Sequence, residues 1–257
     1  MSDLIRMDLY RMRKGKSFLV TLILAAVTAV LVTPVSWGLT MLGQAFSADS
    51  ALKFPESSQL ADILAGPLPF LNAMLAMLAA CSFFYADLES GYIKNIAGQM
   101  PKKGFSVLSR YIAVAAQNLA FLAVGVAGVL LGTILLQRID TSADILHGIQ
   151  VFVLKFLLLQ ACCAILLLVV TSFRNKSLGS VLAVLLGTGL LSLVYMGIDA
   201  GLNQIFKLGS FSIGNYMPDQ LLGAANPDVL RAVLVSAVTI AIFLPLSIRV
   251  FDRRDVK

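Results

Sequence analysis

The chain is poor in charge. Only 13% of its 257 residues are Asp, Glu, Lys or Arg, while 58% are hydrophobic, and mean hydropathy is +0.88. A soluble domain carries roughly 25% charged residues, so a soluble fold and a disordered chain are both excluded. Cysteine is scarce as well. Cys81, Cys162 and Cys163 all fall inside apolar runs, and the adjacent pair points to different helix faces. They support neither a disulfide framework nor a metal site, and read as small buried apolar residues. The single histidine, His147, lies outside the apolar runs near Asp144. No Asp, Glu or His occurs within those runs, which removes the usual ion-binding group of a gradient-driven carrier. Without a carboxylate pair, a Ser/His pair or a Cys/His cluster, an intramembrane protease and a metal-dependent transferase lack their parts, and no cofactor is expected.

What the chain does have is long uncharged runs. A bilayer core takes about 20 apolar residues as helix. Uncharged intervals of 32, 24, 27 and 22 residues separate Lys16 from Asp49, Asp62 from Asp87, Arg110 from Arg138, and Lys176 from Asp199. Two shorter intervals, Lys155 to Arg174 and Arg231 to Arg249, reach span length if Lys155 and Arg231 extend their ammonium and guanidinium groups to the membrane edge. The sequence therefore predicts an all-α polytopic membrane protein, residues 1–257 forming one transmembrane domain. Its six helices are expected at about 18–41, 67–85, 111–136, 151–173, 178–198 and 229–250.

With the amino terminus inside, 15 of the 20 cations and 6 of the 14 acids lie in cytoplasmic segments. The positive-inside rule then places both termini in the cytoplasm and the chain in the cell membrane. The net charge of +6 is thus a topology signal and implies no nucleic-acid partner. Ala45-Phe46-Ser47 resembles a cleavage site, but the apolar run before it is about twice the length of a signal core, so it is read as an uncleaved anchor. Residues 1–16 put Ile5, Leu9 and Met12 on one helical face, with Arg6, Tyr10 and Arg13 opposite, and Asp8 interrupting the apolar side. That pattern predicts a helix lying in the membrane interface. Gly15-Lys16-Ser17 ends like a phosphate-binding loop, yet Tyr10 stands where the first glycine is required.

Polar residues inside the spans are chiefly amides and hydroxyls. Asn72, Gln117, Asn118 and Gln160 are expected to make interhelical hydrogen bonds. Gly128 and Gly132 form a G-x-x-x-G pair suited to close helix contact, within the chain or between copies. Pro34 and Pro245 fall within spans as possible kink points.

The segment 87–110 joins the second and third spans. It places Ile93 and Ile96 at helix spacing beside Lys94 and Asn95, bounded by Gly98, Pro101 and Gly104. A short exposed helix with an apolar edge is suited to docking on a partner or on the protein's own surface. The segment 199–228 between the last two spans mixes Leu202, Ile205, Phe206 and Leu208 with Tyr216-Met217-Pro218 and Leu221-Leu222. Two re-entrant, half-buried helices are expected there.

The order Glu89, Gly91, Ile93-Lys94-Asn95, Lys102-Lys103 and Arg110 resembles the loop pattern of membrane subunits of type 2 ATP-binding-cassette (ABC) transporters. The order of elements over the whole chain is similar too. The resemblance implies that 87–110 is a coupling loop. Glu89, Gly91, Lys94, Asn95, Lys102, Lys103 and Arg110 would then face a separate ATPase subunit, anchored by Ile93 and Ile96. It further implies a second permease subunit, as homo- or heterodimer, and export of a hydrophobic or amphipathic substrate by a chain that is itself no enzyme. The rival readings are a non-transporting membrane scaffold or immunity protein that binds a lipid or peptide, and an ion-gradient-driven transporter.

Overall fold

The computed structural model describes residues 2–46, 57–59, 70–89, 104–136, 138–140, 145–206, 212–224 and 226–253. Helix α1 (Ser2–Lys14) is separated from α2 (Lys16–Phe46) by Gly15 alone; α3 spans Phe70–Glu89, α4 Gly104–Leu136 and α5 Ile145–Phe173. After them come α6 (Lys176–Thr188), α7 (Leu191–Phe206), a 3-10 turn (Ile213–Tyr216), α8 (Pro218–Gly223) and α9 (Val229–Arg253). Two three-residue strands, β1 (Ser57–Gln59) and β2 (Arg138–Asp140), pair in parallel.

Among the described residues four helices, α2, α4, α5 and α9, are long and apolar enough to cross a membrane, and a fifth crossing follows if α6 and α7 count as one. The apolar part of α3, Leu71–Ala86, falls short of that length. Several helices outrun the expected spans because a helix does not end where its apolar stretch ends. Helix α4 starts at Gly104 rather than 111, and α5 at Ile145 rather than 151. Lys155 consequently sits well inside α5 at 2% exposure, not at the edge with its ammonium reaching outward. Helices α2 and α9 continue through Pro34 and Pro245.

The expected straight fifth span over 178–198 is corrected. Asn175 caps α6, its Oδ1 accepting from the Ser177 and Leu178 amides at 2.9 and 3.5 Å. Helix α6 ends at Gly189, whose φ of 68° lies in the left-handed region that glycine enters without a Cβ penalty. The chain then turns by 77° into α7. Apolar periodicity runs unbroken through the sequence here, so only the glycine marked the bend. Asp199, taken as the start of an outer loop, lies inside α7. There it holds the 3-10 turn, accepting from Ser212 Oγ at 2.7 Å and from the Ile213 amide at 2.9 Å.

The centre of the fold is α5. Leu158, Leu159, Ala161, Cys162, Cys163, Ala164, Leu166, Leu167 and Val170 are sealed from solvent, because α3, α4, α6, α8 and α9 all pack against this helix. The buried amides tie neighbouring helices together. Thr28 Oγ1 donates to Asn72 Oδ1 at 3.1 Å, Gln117 Nε2 to the Ala76 carbonyl at 3.1 Å, and Asn118 Nδ2 to Cys163 Sγ at 3.2 Å. From Gln160 it is the main-chain carbonyl that is used, accepting from the Tyr111 hydroxyl at 3.0 Å. Such bonds are worth about 0.6 kcal/mol each in a membrane bundle.

Helices α2 and α4 meet at small residues. A Cβ on Gly128 would stand 2.5 Å from Ala29 Cβ, and one on Gly132 would stand 2.7 Å from the Val30 carbonyl oxygen. The G-x-x-x-G pair therefore serves a contact within the chain. Because the obstacle at 132 is backbone, Gly132→Ala should cost about 1–3 kcal/mol. Gly197→Ala, with nothing within 4 Å of the added methyl, should stabilise α7 by up to about 1 kcal/mol. Thermal unfolding of the two variants in detergent checks the opposite signs.

Candidate functional site

Three elements converge at the start of α4. The first turn of α4 packs on the end of α9: a Cβ on Gly104 would meet Ile248 Cγ2 at 2.6 Å and Asp252 Oδ2 at 3.0 Å. One turn on, Arg110 is 2% exposed. Its Nη2 donates to Ser106 Oγ at 2.6 Å, and the guanidinium lies 5.7 Å from the Phe251 ring centre on α9. Arg110 was expected at a partner-facing surface, but the early start of α4 buries it between α4 and α9, where it acts as a brace.

Helix α1 docks on α4 next to this brace. Its polar face is as expected, with Arg6, Tyr10 and Arg13 exposed. Its inner face includes Asp8, 3% exposed, which accepts from Ser109 Oγ at 2.5 Å, while Arg11 Nη1 lies 3.7 Å from the other carboxylate oxygen. The acid that disturbed the amphipathic pattern is thus the residue that fixes α1 to α4. A buried hydrogen bond to a charged group contributes about 1.5–3 kcal/mol, whereas the half-exposed ion pair with Arg11 adds no more than about 1 kcal/mol.

Of the residues expected at the coupling surface, Glu89 closes α3 and is exposed. Gly91, Ile93, Lys94, Asn95, Ile96, Lys102 and Lys103 lie outside the described residues. The structure therefore brings Glu89, α1, the start of α4 and the end of α9 to one end of the bundle.

A second polar centre lies at the opposite end. Helix α8 starts with Pro218, pre-set for a first helical position, and packs against α5 and α9. Its Asp219 is buried, accepting from the Tyr195 hydroxyl of α7 at 3.2 Å and from Gln220 Nε2 at 2.8 Å. Gln220 Nε2 also donates to the Gly189 carbonyl at 3.2 Å. At the break that carbonyl also accepts from the Ser192 amide at 3.0 Å, so α8 adds a second donor to it. Burial raises the Asp219 carboxyl above its ordinary 3.8, and its hydrogen bonds only partly offset this.

Asp219 was not singled out in the sequence, where segment 199–228 was expected to form two half-buried helices on the strength of its apolar residues alone. The available signal was a lone Asp just after Tyr216-Met217-Pro218 and just before Leu221-Leu222. His147 is exposed at this same end, its Nε2 3.4 Å from Asn226 Oδ1. Among the described residues, no group of three or more His, Cys, Asp or Glu side chains is placed to hold a metal ion.

No protein-family model matches the chain, and no curated protein matches it.

The raised Asp219 carboxyl means that the folded chain holds this proton more tightly than the unfolded one. The stability it contributes is full below about 3.8 and is lost as pH rises through the raised value. Melting temperature should therefore fall as pH rises across that window, and Asp219→Asn should flatten the slope. A slope unchanged in Asp219→Asn would assign it to another group.

Proposed function

We propose that the chain is the membrane subunit of a type 2 ABC transporter, exporting a hydrophobic or amphipathic substrate on ATP hydrolysed by a separate subunit. The observation that carries this reading is the convergence at one end of the bundle. Residues 90–103, which hold the Ile93-Lys94-Asn95 pattern, leave from Glu89 and return at Gly104, beside a docked α1 and the end of α9.

In this reading α2, α3, α4, α5, the bent α6–α7 pair and α9 form six crossings, with both termini in the cytoplasm of a cell-membrane protein. Closure of two ATPase subunits on ATP pushes residues 90–103. The push reaches α1 and α9 as well as α4, because Asp8–Ser109 and Arg110–Phe251 tie the three together. Such a rigid-body step suits a path that alternates between its two openings. A second permease subunit, identical or different, would cover the apolar side chains that α7 presents outward, Leu193, Val194 and Met196 among them. The sequence carries no phosphate-binding loop, which assigns the nucleotide to the partner.

Buried Asp219 beside a broken helix favours one rival, a gradient-driven carrier, since discontinuous helices with a nearby carboxylate are a recurring ion-site arrangement. The two readings part in reconstituted vesicles. A pH-gradient carrier moves substrate with no ATPase present, whereas the proposed subunit is idle without one.

Docking is tested by looking in the neighbouring reading frames for a Walker-motif ATPase and co-purifying it with the chain. Ile93→Asp combined with Ile96→Asp should reduce the retained ATPase at least about tenfold, in line with loss of apolar anchors at an interface, with the variant still folded by thermal melting. Undiminished retention overturns the docking assignment.

A further inference from the structure

Between α1, α2, α3, α4 and α6 lies a cleft of about 290 Å³ at the α1 end of the bundle. Its lining changes character with depth. Glu89 and Lys176 are exposed at the mouth, with Arg11 half-buried beside them; Phe18 and Phe83 form apolar walls. Ser17 and Ser82 face each other across it, their Oγ atoms 3.3 Å apart.

Deeper still is Gln117, 1% exposed. Its Nε2 is used by the Ala76 carbonyl, but its Oε1 has no hydrogen-bond partner. An amide oxygen buried without a donor costs about 1–3 kcal/mol. The cleft it lines therefore calls for a guest that donates a hydrogen bond.

The mouth specifies the rest of the guest. Lys176 and Arg11 present positive charge, although Arg11 shares its charge with Asp8, and Glu89 presents negative charge. A purely anionic head would satisfy the first and oppose the last. A purely cationic head would do the reverse. The volume suits a polar head group, not acyl chains, since it lies at the low end of ligand cavities of about 300–1,000 Å³. The neighbouring amphipathic α1, with Tyr10 and Arg13 on its exposed face, is of the kind that lies among lipid head groups.

We propose that this cleft binds the phosphoethanolamine head of a membrane phospholipid, with the phosphate toward Lys176 and Arg11 and the primary ammonium donating toward Gln117 Oε1. Choline is disfavoured by chemistry, because its quaternary nitrogen carries no N–H. The proposal does not depend on the transport reading, as it concerns lipid held by this chain alone.

The test is native mass spectrometry of the purified full chain in detergent, titrated separately with dioleoyl phosphatidylethanolamine, phosphatidylcholine and phosphatidylglycerol, and with soluble phosphoethanolamine. The wild type should retain phosphatidylethanolamine at least about tenfold more tightly than phosphatidylcholine, one lost donor to a buried acceptor being worth that much. Gln117→Leu should abolish this preference, and Lys176→Gln, at an exposed position, should weaken phosphatidylethanolamine retention severalfold without changing the melting temperature.

Equal retention of ethanolamine and choline lipids by the wild type overturns the site. So does a preference that survives Gln117→Leu, and if that variant does not fold, an undiminished affinity in Lys176→Gln does the same. Phosphatidylglycerol bound as tightly as phosphatidylethanolamine overturns the zwitterionic assignment. Soluble phosphoethanolamine bound as tightly as the lipid overturns the membrane source.

Discussion

The burial of α5 is the constraint on which the other placements depend. Five helices pack around it, and its central residues from Leu158 to Leu167 have no surface left for lipid apart from the half-buried Ile165. A helix that is apolar all round belongs in the middle of a bundle. With α5 there, each neighbour has one face toward it and one away. Amides such as Asn72, Gln117 and Asn118 fall on the faces that touch protein, with Gly128, Gly132 and Gly187 at close helix contacts. The Tyr111 hydroxyl can reach the Gln160 carbonyl, and the Asn118 amide Cys163 Sγ, only because α4 lies directly on α5.

The same constraint accounts for the far end of the molecule. Helix α6 is held against α3 by Gly187, where a Cβ would collide with the Met74 backbone. The left-handed Gly189 turns α7 away, and its carbonyl accepts from the Ser192 amide and from α8. Gln220 reaches that carbonyl because α8 sits on α5. Break, α8 and buried carboxylate are therefore linked through Gln220, which bonds both the Gly189 carbonyl and Asp219.

Most of the helices could be read from the sequence, because runs free of charge are a direct record of what the bilayer admits. Their ends could not. Arg110 and Lys155 were treated as boundary markers, yet both lie inside helices where packing buries them. The broken span escaped notice because α6 and α7 are equally apolar, and one glycine among several in that run gives no sign of which is left-handed. Asp8 was noticed as an anomaly in an amphipathic pattern but could not be paired, since Ser109 lies 101 residues away. Asp219 was passed over for the same reason: burial of a particular side chain is a long-range property, and local composition does not reveal it.

Asp8 and Arg110 are opposite charges on neighbouring elements, and each is costly to bury alone. Their contacts join three helices: Asp8 on α1 engages Ser109 on α4, and Arg110 on α4 engages Ser106 of the same helix and the Phe251 ring on α9. Ser109 and Arg110 are adjacent in the chain, so α4 cannot rotate or slide at this level without disturbing both contacts at once. A displacement of the α3–α4 connection that entered through Gly104 would meet Ile248 and Asp252 of α9 first, and the Asp8 contact one turn later. A displacement of the first turns of α4 is therefore opposed by contacts with both α1 and α9, two of which are made by buried charges.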